Sequence, residues 1–378
     1  MSKIELIATA TFGLEAVVKR ELIGLGYEDI KVENAKVTFA AEERDIPRAN
    51  YWLRTADRVL LKMGEFKALS FDELFEKTKA LPWDEWIPED GNFVVEGKSI
   101  NSKLYSISDS QSIVEKAVVE KLKTKYDTDW FEKTGAKYTI QVALLKDIAT
   151  LTIDTSGAGL HKRGYRSRQG DAPIKETLAA AMILLSFWNK DRVLFDPFCG
   201  SGTIPIEAAM IGRNMAPGLD REFAAEKWPR VKPEYWKEAK QEAFKAIDTE
   251  TKLHILGADI DKRSILVARD NAANLGLEDD IAFFNKDFRE AELNNEYGVV
   301  ITNPPYGERI GDLEELRELY QALGERFKEL DTWSLYAITS DEEFENYYGK
   351  PADRKRKLYN GRIKVDYYQY YGPRPPIK

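Results

Sequence analysis

The feature that constrains this chain most is a regular alternation of short apolar strands and amphipathic helices in its C-terminal part. Strands joined by helices form right-handed crossovers and lie parallel in one sheet. Near the end, Asn360-Gly361 is the preferred two-residue turn of an antiparallel hairpin. We therefore predict an α/β fold with a mostly parallel sheet and a C-terminal antiparallel hairpin. The predicted strands are Val193–Phe195, His254–Gly257, Ile281–Asn285, Val299–Thr302, Leu335–Ser340, Arg356–Tyr359 and Arg362–Tyr371.

The residues before this domain show two other patterns. The order β-α-β-α-β across residues 1–65 predicts an α+β domain with a ferredoxin-like fold. Residues 66–160 form a second α+β unit, in which Ser110–Tyr126 is an amphipathic helix with apolar residues at helical spacing. The Gly-rich stretch Ser156–Gly159 then leads into the third unit, residues 161–378. We therefore predict three successive domains.

The first candidate ligand-binding motif is Asp196–Thr203, which follows a predicted strand and precedes a predicted helix. Gly200 and Gly202 let the backbone pass close to a ligand and leave amide groups facing it. Asp196, at the strand end, can bind an ammonium group. The motif suits the methionine part of S-adenosylmethionine better than a pyrophosphate, because the third glycine of a dinucleotide-binding loop is missing. A Gly-rich turn that only caps the helix is the structural alternative.

Two further predicted strands are followed by acidic residues. Asp259 can accept hydrogen bonds from both hydroxyl groups of a ribose, whereas Asp261 also fits as the N-cap of the helix that starts at Lys262. Asp287 can accept a hydrogen bond from an adenine amino group, and Phe288 can pack on the ring. Each of these residues also fits an ordinary turn, so their interpretation depends on the first motif.

The most specific motif is Asn303-Pro304-Pro305-Tyr306, directly after the strand Val299–Thr302. Two prolines after a buried strand fix a rigid loop. The side-chain carbonyl of Asn303 and the backbone carbonyl of Pro304 can both accept hydrogen bonds from one amino group. This arrangement favours the attack of an exocyclic amine on a methyl group, and Tyr306 can stack on the base. The alternative is a structural Pro-Pro turn.

The content of potential metal ligands is low. A single cysteine and two histidines exclude an internal disulfide and leave too few ligands for a structural zinc site. Methyl transfer from a sulfonium is a direct displacement that requires no metal and no nucleophilic side chain, so we interpret Cys199 as a packing residue. The lack of a long apolar segment and of a signal peptide predicts a cytoplasmic protein without membrane contact. We expect a monomer or a weak homodimer.

The formal net charge of −8 is unevenly distributed. Lys98–Gly170 contains 13 Lys/Arg against 8 Asp/Glu, and Lys350–Lys378 contains 9 against 2, whereas Glu278–Glu318 contains 4 against 12. Basic stretches can bind phosphates. The densest one follows the Gly-rich linker, so we expect it to line a cleft between the second and third units and to bind the phosphates of a nucleic acid; a solvated charged face is the alternative. The residues predicted to bind there, to RNA if the resemblance described next holds, are Lys162, Arg163, Tyr165, Arg166 and Arg168.

The motifs together resemble motifs I to IV of Rossmann-like S-adenosylmethionine-dependent amino-methyltransferases. The matching segments are Asp196–Thr203, Gly257–Asp261, Asp287-Phe288 and Asn303–Tyr306. Other segments are similar to a THUMP domain, to its junction with a methyltransferase domain and to an insertion of the same group: these are Lys103–Leu122, Leu160–Arg166 followed by Ala172–Ala180, and Asn214–Leu219. The whole chain resembles the RlmL-like group of THUMP-domain enzymes, which methylate N2 of guanine in structured RNA.

This resemblance implies S-adenosylmethionine as the cofactor and a guanine amine in RNA as the substrate, with 23S ribosomal RNA favoured over tRNA. The residues implied to contact the cofactor are Asp196, Phe198, Gly200, Gly202, Thr203, Asp259, Asp261, Asp287, Phe288 and Asn303. The residues implied to act in catalysis are Asn303, Pro304, Pro305 and Tyr306.

Several other functions share part of this pattern. DNA adenine-N6 methyltransferases and protein glutamine methyltransferases carry the same motif set, but neither needs an RNA-binding module. A non-catalytic RNA-binding assembly factor would be expected to have a degraded Asn303–Tyr306 loop, and here the loop is intact. A tRNA guanine-N2 methyltransferase remains open, because the sequence does not name the RNA.

Overall fold

A computed structural model describes residues 3–166, 174–306 and 313–376. Its contacts group the chain into two compact units that cannot be separated by a single cut in the sequence. The first unit comprises Met1–Ala10, Val18–Leu160 and Arg221–Glu242. The second comprises Thr11–Val17, His161–Asp220 and Ala243–Lys378.

The first unit contains one mixed sheet of seven strands. In chain order these are β1 (Ile4–Ala10), β2 (Lys31–Glu33), β3 (Lys36–Ala41), β4 (Ala56–Lys67), β5 (Asn92–Ile100), β6 (Lys137–Leu145) and β7 (Ile148–Asp154). Their order in the sheet is β2-β3-β1-β4-β7-β6-β5, in which β5 and β6 are parallel and the other pairs are antiparallel. Because β4 pairs with β1 on one side and β7 on the other, the predicted domain division after residue 65 falls inside a continuous strand.

The second unit contains another seven-stranded sheet. Its strands are β8 (Leu194–Asp196), β9 (Ile255–Asp259), β10 (Ile281–Asn285), β11 (Val299–Thr302), β12 (Ser334–Thr339), β13 (Arg354–Asn360) and β14 (Ile363–Tyr370). The order is β10-β9-β8-β11-β12-β14-β13, in which β8 to β12 are parallel and β14 is antiparallel to both of its neighbours. The predicted mostly parallel sheet with a C-terminal antiparallel hairpin is thus confirmed.

Helices cover both sheets. They are α1 (Glu15–Gly24), α2 (Asp45–Trp52), α3 (Phe71–Lys79), α4 (Trp83–Trp86), α5 (Ile107–Tyr126), α6 (Glu176–Leu185), α7 (Thr203–Gly212), α8 (Pro233–Lys245), α9 (Lys262–Ala273), α10 (Leu313–Lys328) and α11 (Phe344–Tyr348). The predicted helix from Pro173 to Trp188 is shorter in the structure: α6 begins at Glu176, and Pro173 lies outside the described residues. Along residues 3–166, 174–306 and 313–376, no helix is long and apolar enough to cross a membrane.

Residues 221–242 were not predicted to belong to the first unit. The ring of Trp228 stacks on that of Tyr138, with centroids 4.7 Å apart and an interplanar angle of 17°. Arg230 forms ion pairs with Glu43 and Glu85, both at 2.8 Å. Aromatic stacking and a two-carboxylate contact hold the segment in this unit. It also supplies the start of α8.

Candidate active site

The predicted ligand-binding residues lie at one edge of the second sheet. Residues at the carboxyl ends of parallel strands meet at the same edge of a sheet. Ligands bind at this edge between two neighbouring central strands, at the point from which the strand order continues in opposite directions. Here that point lies between β8 and β11, because β9 and β10 continue on one side and β12 on the other. A cavity of about 620 Å³ opens there, which is a size typical of small-molecule sites.

The loop after β8 is shaped by two glycines with positive φ angles, +51° at Gly200 and +82° at Gly202. A Cβ atom at Gly202 would lie only 3.0 Å from both the Cβ of Ala268 and the ring of Phe283. The loop therefore requires glycine for its conformation and for its close packing on α9. It leads directly into α7, whose first residue, Thr203, lines the cavity.

Asp196 ends β8 and is only 1% exposed. Its Oδ1 accepts hydrogen bonds from the hydroxyl of Thr302 (2.7 Å) and the backbone N–H of Phe198 (3.2 Å). Burial raises the pKa of this carboxyl to about 7, against the effect of the two hydrogen bonds, and the nearby Asp259 raises it further. Asp196 lines the cavity without a cationic partner among the described residues, so a bound ammonium group would complete its contacts.

The two aspartates at the carboxyl end of β9 make different contacts. Asp259 lines the cavity, and its two oxygens accept the backbone N–H groups of Gly200 (2.9 Å) and Asp261 (2.8 Å). Asp261 instead caps α9 through the N–H groups of Arg263 (3.0 Å) and Ser264 (3.1 Å). It does not line the cavity. The cofactor contact predicted for Asp261 is therefore not seen, because its side chain is held at the start of α9 and lies outside the cavity wall.

An apolar part of the cavity wall comes from residues that follow β8, β9 and β10. The rings of Phe198 and Phe288 are 5.1 Å apart, and both residues line the cavity, as does Asp287. Ile260 was not predicted, although it lines the cavity and is 76% exposed. An apolar residue between two aspartates at a strand end is the sequence signal that could have identified it, because exposing such a side chain is unfavourable unless a ligand covers it.

Asn303 lies at the end of β11 and lines the cavity together with Pro305. The Oδ1 atom of Asn303 is buried and accepts no hydrogen bond from the described residues. A buried amide oxygen without a donor costs free energy, so this atom is suited to accept an N–H group from a ligand. The backbone carbonyl of Pro305 accepts a hydrogen bond from the hydroxyl of Tyr320 at 3.1 Å, which ties the loop to α10.

Pro304 and Tyr306 do not line the cavity. Tyr306 is 6% exposed and belongs to the apolar core beside α6, and its hydroxyl accepts a hydrogen bond from the side-chain N–H of Asn360 (3.2 Å). In this structure the ring therefore cannot stack on a base, contrary to the prediction. The reason is that the aromatic ring gains more contact by packing in the core than by facing an open cavity.

Cys199 is 6% exposed, and its thiol lies beside carboxyl groups. Burial raises the pKa of this thiol well above its usual value, and Asp196 and Asp259 raise it further. A protonated thiol is a poor nucleophile. The side chain thus acts as the packing residue that the sequence predicted.

The basic linker, which is the stretch Lys162–Arg168 after the Gly-rich segment, contains two predicted RNA-binding residues that are buried in the structure. Arg163 is 2% exposed, and its guanidinium contacts both carboxylate oxygens of Glu207, at 3.0 and 3.2 Å. Tyr165 is 1% exposed within the core. Neither residue can contact RNA in this structure, so both RNA-binding assignments are corrected. The charge of Arg163 is buried because a carboxylate from α7 neutralises it.

The other linker residues have mixed environments. Arg166 is half-buried; it forms an ion pair with Glu176 (2.6 Å) and donates to the carbonyl of Ile174 (3.1 Å) and the hydroxyl of Thr203 (3.0 Å). It therefore supports two residues of the cavity wall rather than facing solvent. Lys162 is exposed, and Arg168 lies outside the described residues.

Comparisons with known families match three successive parts of the chain. The family described as "RMKL-like, methyltransferase domain" matches residues 163–369. The RlmL ferredoxin-like domain matches residues 5–60, and the THUMP domain matches residues 68–154. The three matches lie within the segments predicted from the sequence.

Two relatives cover almost the whole chain. The "Putative RNA methyltransferase YpsC" of Bacillus subtilis is 52% identical over 373 residues, which are 98% of this chain and 97% of that protein. The "Ribosomal RNA large subunit methyltransferase K/L" of Shewanella woodyi is 34% identical over 377 residues, which are 97% of this chain and 53% of that protein. This chain therefore spans about half the length of the K/L enzyme.

Solved structures agree with this relationship. A protein of Listeria monocytogenes, named "a predicted N6-adenine-specific DNA methylase", superposes with a TM-score of 0.94 at 53% identity and covers 99% of this chain and 97% of its own. SMU.472, "a putative methyltransferase complexed with SAH", has a TM-score of 0.94 at 45% identity, with full coverage of both chains. The predicted fold class is confirmed. The chain belongs to the RMKL-like methyltransferase family, with ferredoxin-like and THUMP domains, and its cofactor is S-adenosylmethionine.

Proposed function

We propose that this protein methylates the exocyclic N2 amine of a guanine in structured RNA, and that this RNA is 23S ribosomal RNA. The THUMP domain at residues 68–154 supports an RNA substrate. The K/L relatives, which are named as large-subunit ribosomal RNA methyltransferases, support the choice of ribosomal RNA.

The observation that carries the proposal is the buried Oδ1 of Asn303, which has no hydrogen-bond donor among the residues that the structure describes. An exocyclic amine offers N–H donors, and its lone pair is delocalised into the base. A fixed carbonyl acceptor at the cavity wall holds such an amine in position and stabilises the positive charge that develops as its nitrogen attacks. The acceptor also discriminates against a ring carbon, which offers no conventional hydrogen-bond donor.

The remaining cavity residues fit the cofactor. Asp196 offers a buried carboxyl for the ammonium group, and Asp259 stands where a ribose can be held. Phe198, Ile260 and Phe288 form an apolar wall of the kind that an adenine ring requires. When bound, S-adenosylmethionine supplies an activated methyl group. The guanine amine gains a bond to that carbon as the carbon–sulfur bond breaks, and the amine then loses one proton to solvent.

Methylation can be tested by mass spectrometry of nucleosides from a strain that lacks the gene. We expect one N2-methylguanosine to disappear from 23S ribosomal RNA and to return on complementation with the wild-type gene. Asn303→Ala should restore less than about 1% of the rate, which corresponds to loss of roughly 3 kcal/mol of transition-state stabilisation. Asn189→Ala is the matched control, because Asn189 is an exposed asparagine before the amino end of β8.

S-Adenosylhomocysteine binding by Asn303→Ala should stay within about threefold of wild type in calorimetry. Unchanged N2-methylguanosine in 23S RNA would refute the ribosomal assignment. Loss of the same nucleoside from tRNA would support the tRNA alternative. N6-methyladenine in DNA is measured in parallel, because Asn303 could also hold an adenine amine and the Listeria structure is named as a DNA methylase.

A further inference from the structure

The C-terminal hairpin carries a group of cations that the proposed chemistry does not use. Strands β13 and β14 and their turn contain Arg354, Lys355, Arg356, Lys357, Arg362 and Lys364. Phosphate binding requires such charges to be exposed and not already neutralised by carboxylates. The six residues differ in this respect.

Some of these cations are neutralised. Lys364 pairs with Glu342 at 2.9 Å, and Lys355 lies 3.6 Å from Glu345. Lys357 and Arg362, by contrast, are exposed, and no carboxylate in the described part of the chain lies within 4.0 Å of either. These two residues near the hairpin turn are therefore free of a direct ion pair with the described residues and are accessible to an external anion.

The hairpin turn is attached to the loop that holds the target amine. The side-chain N–H of Asn360, at the turn, donates to the hydroxyl of Tyr306 at 3.2 Å. Tyr306 is three residues from Asn303. Lys357 and Arg362 flank Asn360 in sequence. An RNA strand that presents its base to Asn303 would consequently have its backbone near this turn.

An exposed aromatic ring lies at the same place. Phe12 is 50% exposed, and its ring meets the ring of Tyr359 edge to face at 6.2 Å. The next residues are well anchored, because Leu14 and Val17 are buried in the same core as Leu358. A fixed backbone that leaves a phenylalanine in solvent offers a preorganised surface for stacking.

Resting on the proposed function, we infer that Lys357 and Arg362 bind backbone phosphates of the substrate RNA next to the target nucleotide, and that Phe12 stacks on an unpaired base there. Cations interleaved with an exposed aromatic ring match a single-stranded or looped-out RNA segment better than a regular duplex. Contacts to phosphates and stacking on a base depend little on the RNA sequence. This surface would therefore position the RNA rather than select its sequence.

Binding to deproteinised 23S ribosomal RNA tests the cations. For Lys357→Ala/Arg362→Ala we expect roughly tenfold weaker binding at 150 mM salt. The slope of log affinity against log salt should fall by about 1.4 to 1.8, since each lost phosphate contact contributes about 0.7 to 0.9. The matched control is Lys245→Ala/Lys252→Ala, which removes two exposed cations near the amino end of β9 in the same unit. The control should keep the wild-type slope.

Phe12 is tested by a second pair of variants. Phe12→Ala should weaken RNA binding roughly tenfold with an unchanged salt slope, while Phe12→Tyr keeps an aromatic ring and should bind like wild type. Both variants should bind S-adenosylhomocysteine normally, which verifies the fold. Wild-type binding and salt slope in Lys357→Ala/Arg362→Ala would overturn the inference. Because the binding assay needs no turnover, this outcome is distinct from a wild-type protein that binds 23S RNA but fails to methylate it.

Discussion

The linker after residue 160 and the C-terminal hairpin are both rich in arginine and lysine, but they place these charges in opposite environments. In the linker, the side chain of Arg163 is 1% exposed and pairs with Glu207. In the hairpin, Lys357 and Arg362 face solvent. The difference comes from carboxylates on other elements. Helix α7 brings Glu207 to Arg163 in the linker. In the hairpin Glu342 pairs with Lys364, but no carboxylate of the described residues lies within 4.0 Å of Lys357 or Arg362.

The comparison teaches that local charge density alone does not identify a nucleic-acid surface. A buried arginine is tolerated only when a carboxylate and hydrogen bonds replace its water. Once paired, it fixes the chain in place instead of attracting phosphate. Arg163 and Arg166 thereby attach the linker to α7 and to Thr203 of the cavity wall.

Breaking the buried pair should have the largest effect. Glu207→Leu leaves the guanidinium of Arg163 without its carboxylate, and we expect the free energy of unfolding to fall by about 3 to 5 kcal/mol. The change can be followed by urea denaturation. Arg163→Met/Glu207→Leu removes both charges and should recover at least half of the loss. A loss below about 1 kcal/mol in Glu207→Leu would show that the pair does not support the fold.

Asp196 is also a buried carboxyl, but unlike Glu207 it has no arginine partner among the described residues. Burial raises the pKa of Asp196 to about 7, and only its ionised form can hold an ammonium group. Since the ionised fraction falls about tenfold per pH unit below the pKa, affinity for S-adenosylhomocysteine should fall by up to about tenfold per unit below pH 7 and level off above it. Calorimetry between pH 5.5 and 8.0 measures this. Asp196→Asn should bind weakly and lose the pH dependence; an Asn variant with the wild-type pH profile would contradict the assignment.

We expect the smallest effect on RNA binding at Lys162, which is exposed, unlike the other described cations of the linker. Lys162→Ala should change affinity for 23S RNA less than about twofold, because a single charge contributes little when its neighbours are buried and paired. Filter binding beside the hairpin variants provides the comparison. If Lys162→Ala bound 23S RNA as weakly as Lys357→Ala/Arg362→Ala, the contrast between the linker and the hairpin would be lost.

Much of the site could be predicted because strand ends determine it. Asp196, Asp259 and Asn303 each follow an apolar strand, and parallel strands bring their carboxyl ends to one edge. The three residues do line one cavity. The fold class was predictable for the same reason, since alternating strands and helices permit few arrangements.

The parts that were not predicted depend on contacts between residues far apart in the sequence. The partner of Arg163 lies 44 residues away, and nothing in the linker indicates it. The orientation of Tyr306 depends on a core that is completed by Asn360 and its neighbours. Strand β4 similarly continues across the predicted domain boundary because it finds pairing partners on both sides.

The return of residues 221–242 to the first unit has a consequence for how the chain is made. A ribosome releases residue 160 long before residue 242, at about 5 to 20 residues per second. During that interval, several seconds long, the N-terminal sheet lacks Trp228 and Arg230. We therefore expect the nascent N-terminal unit to remain incomplete until part of the methyltransferase sequence has been translated, so that the two halves mature together.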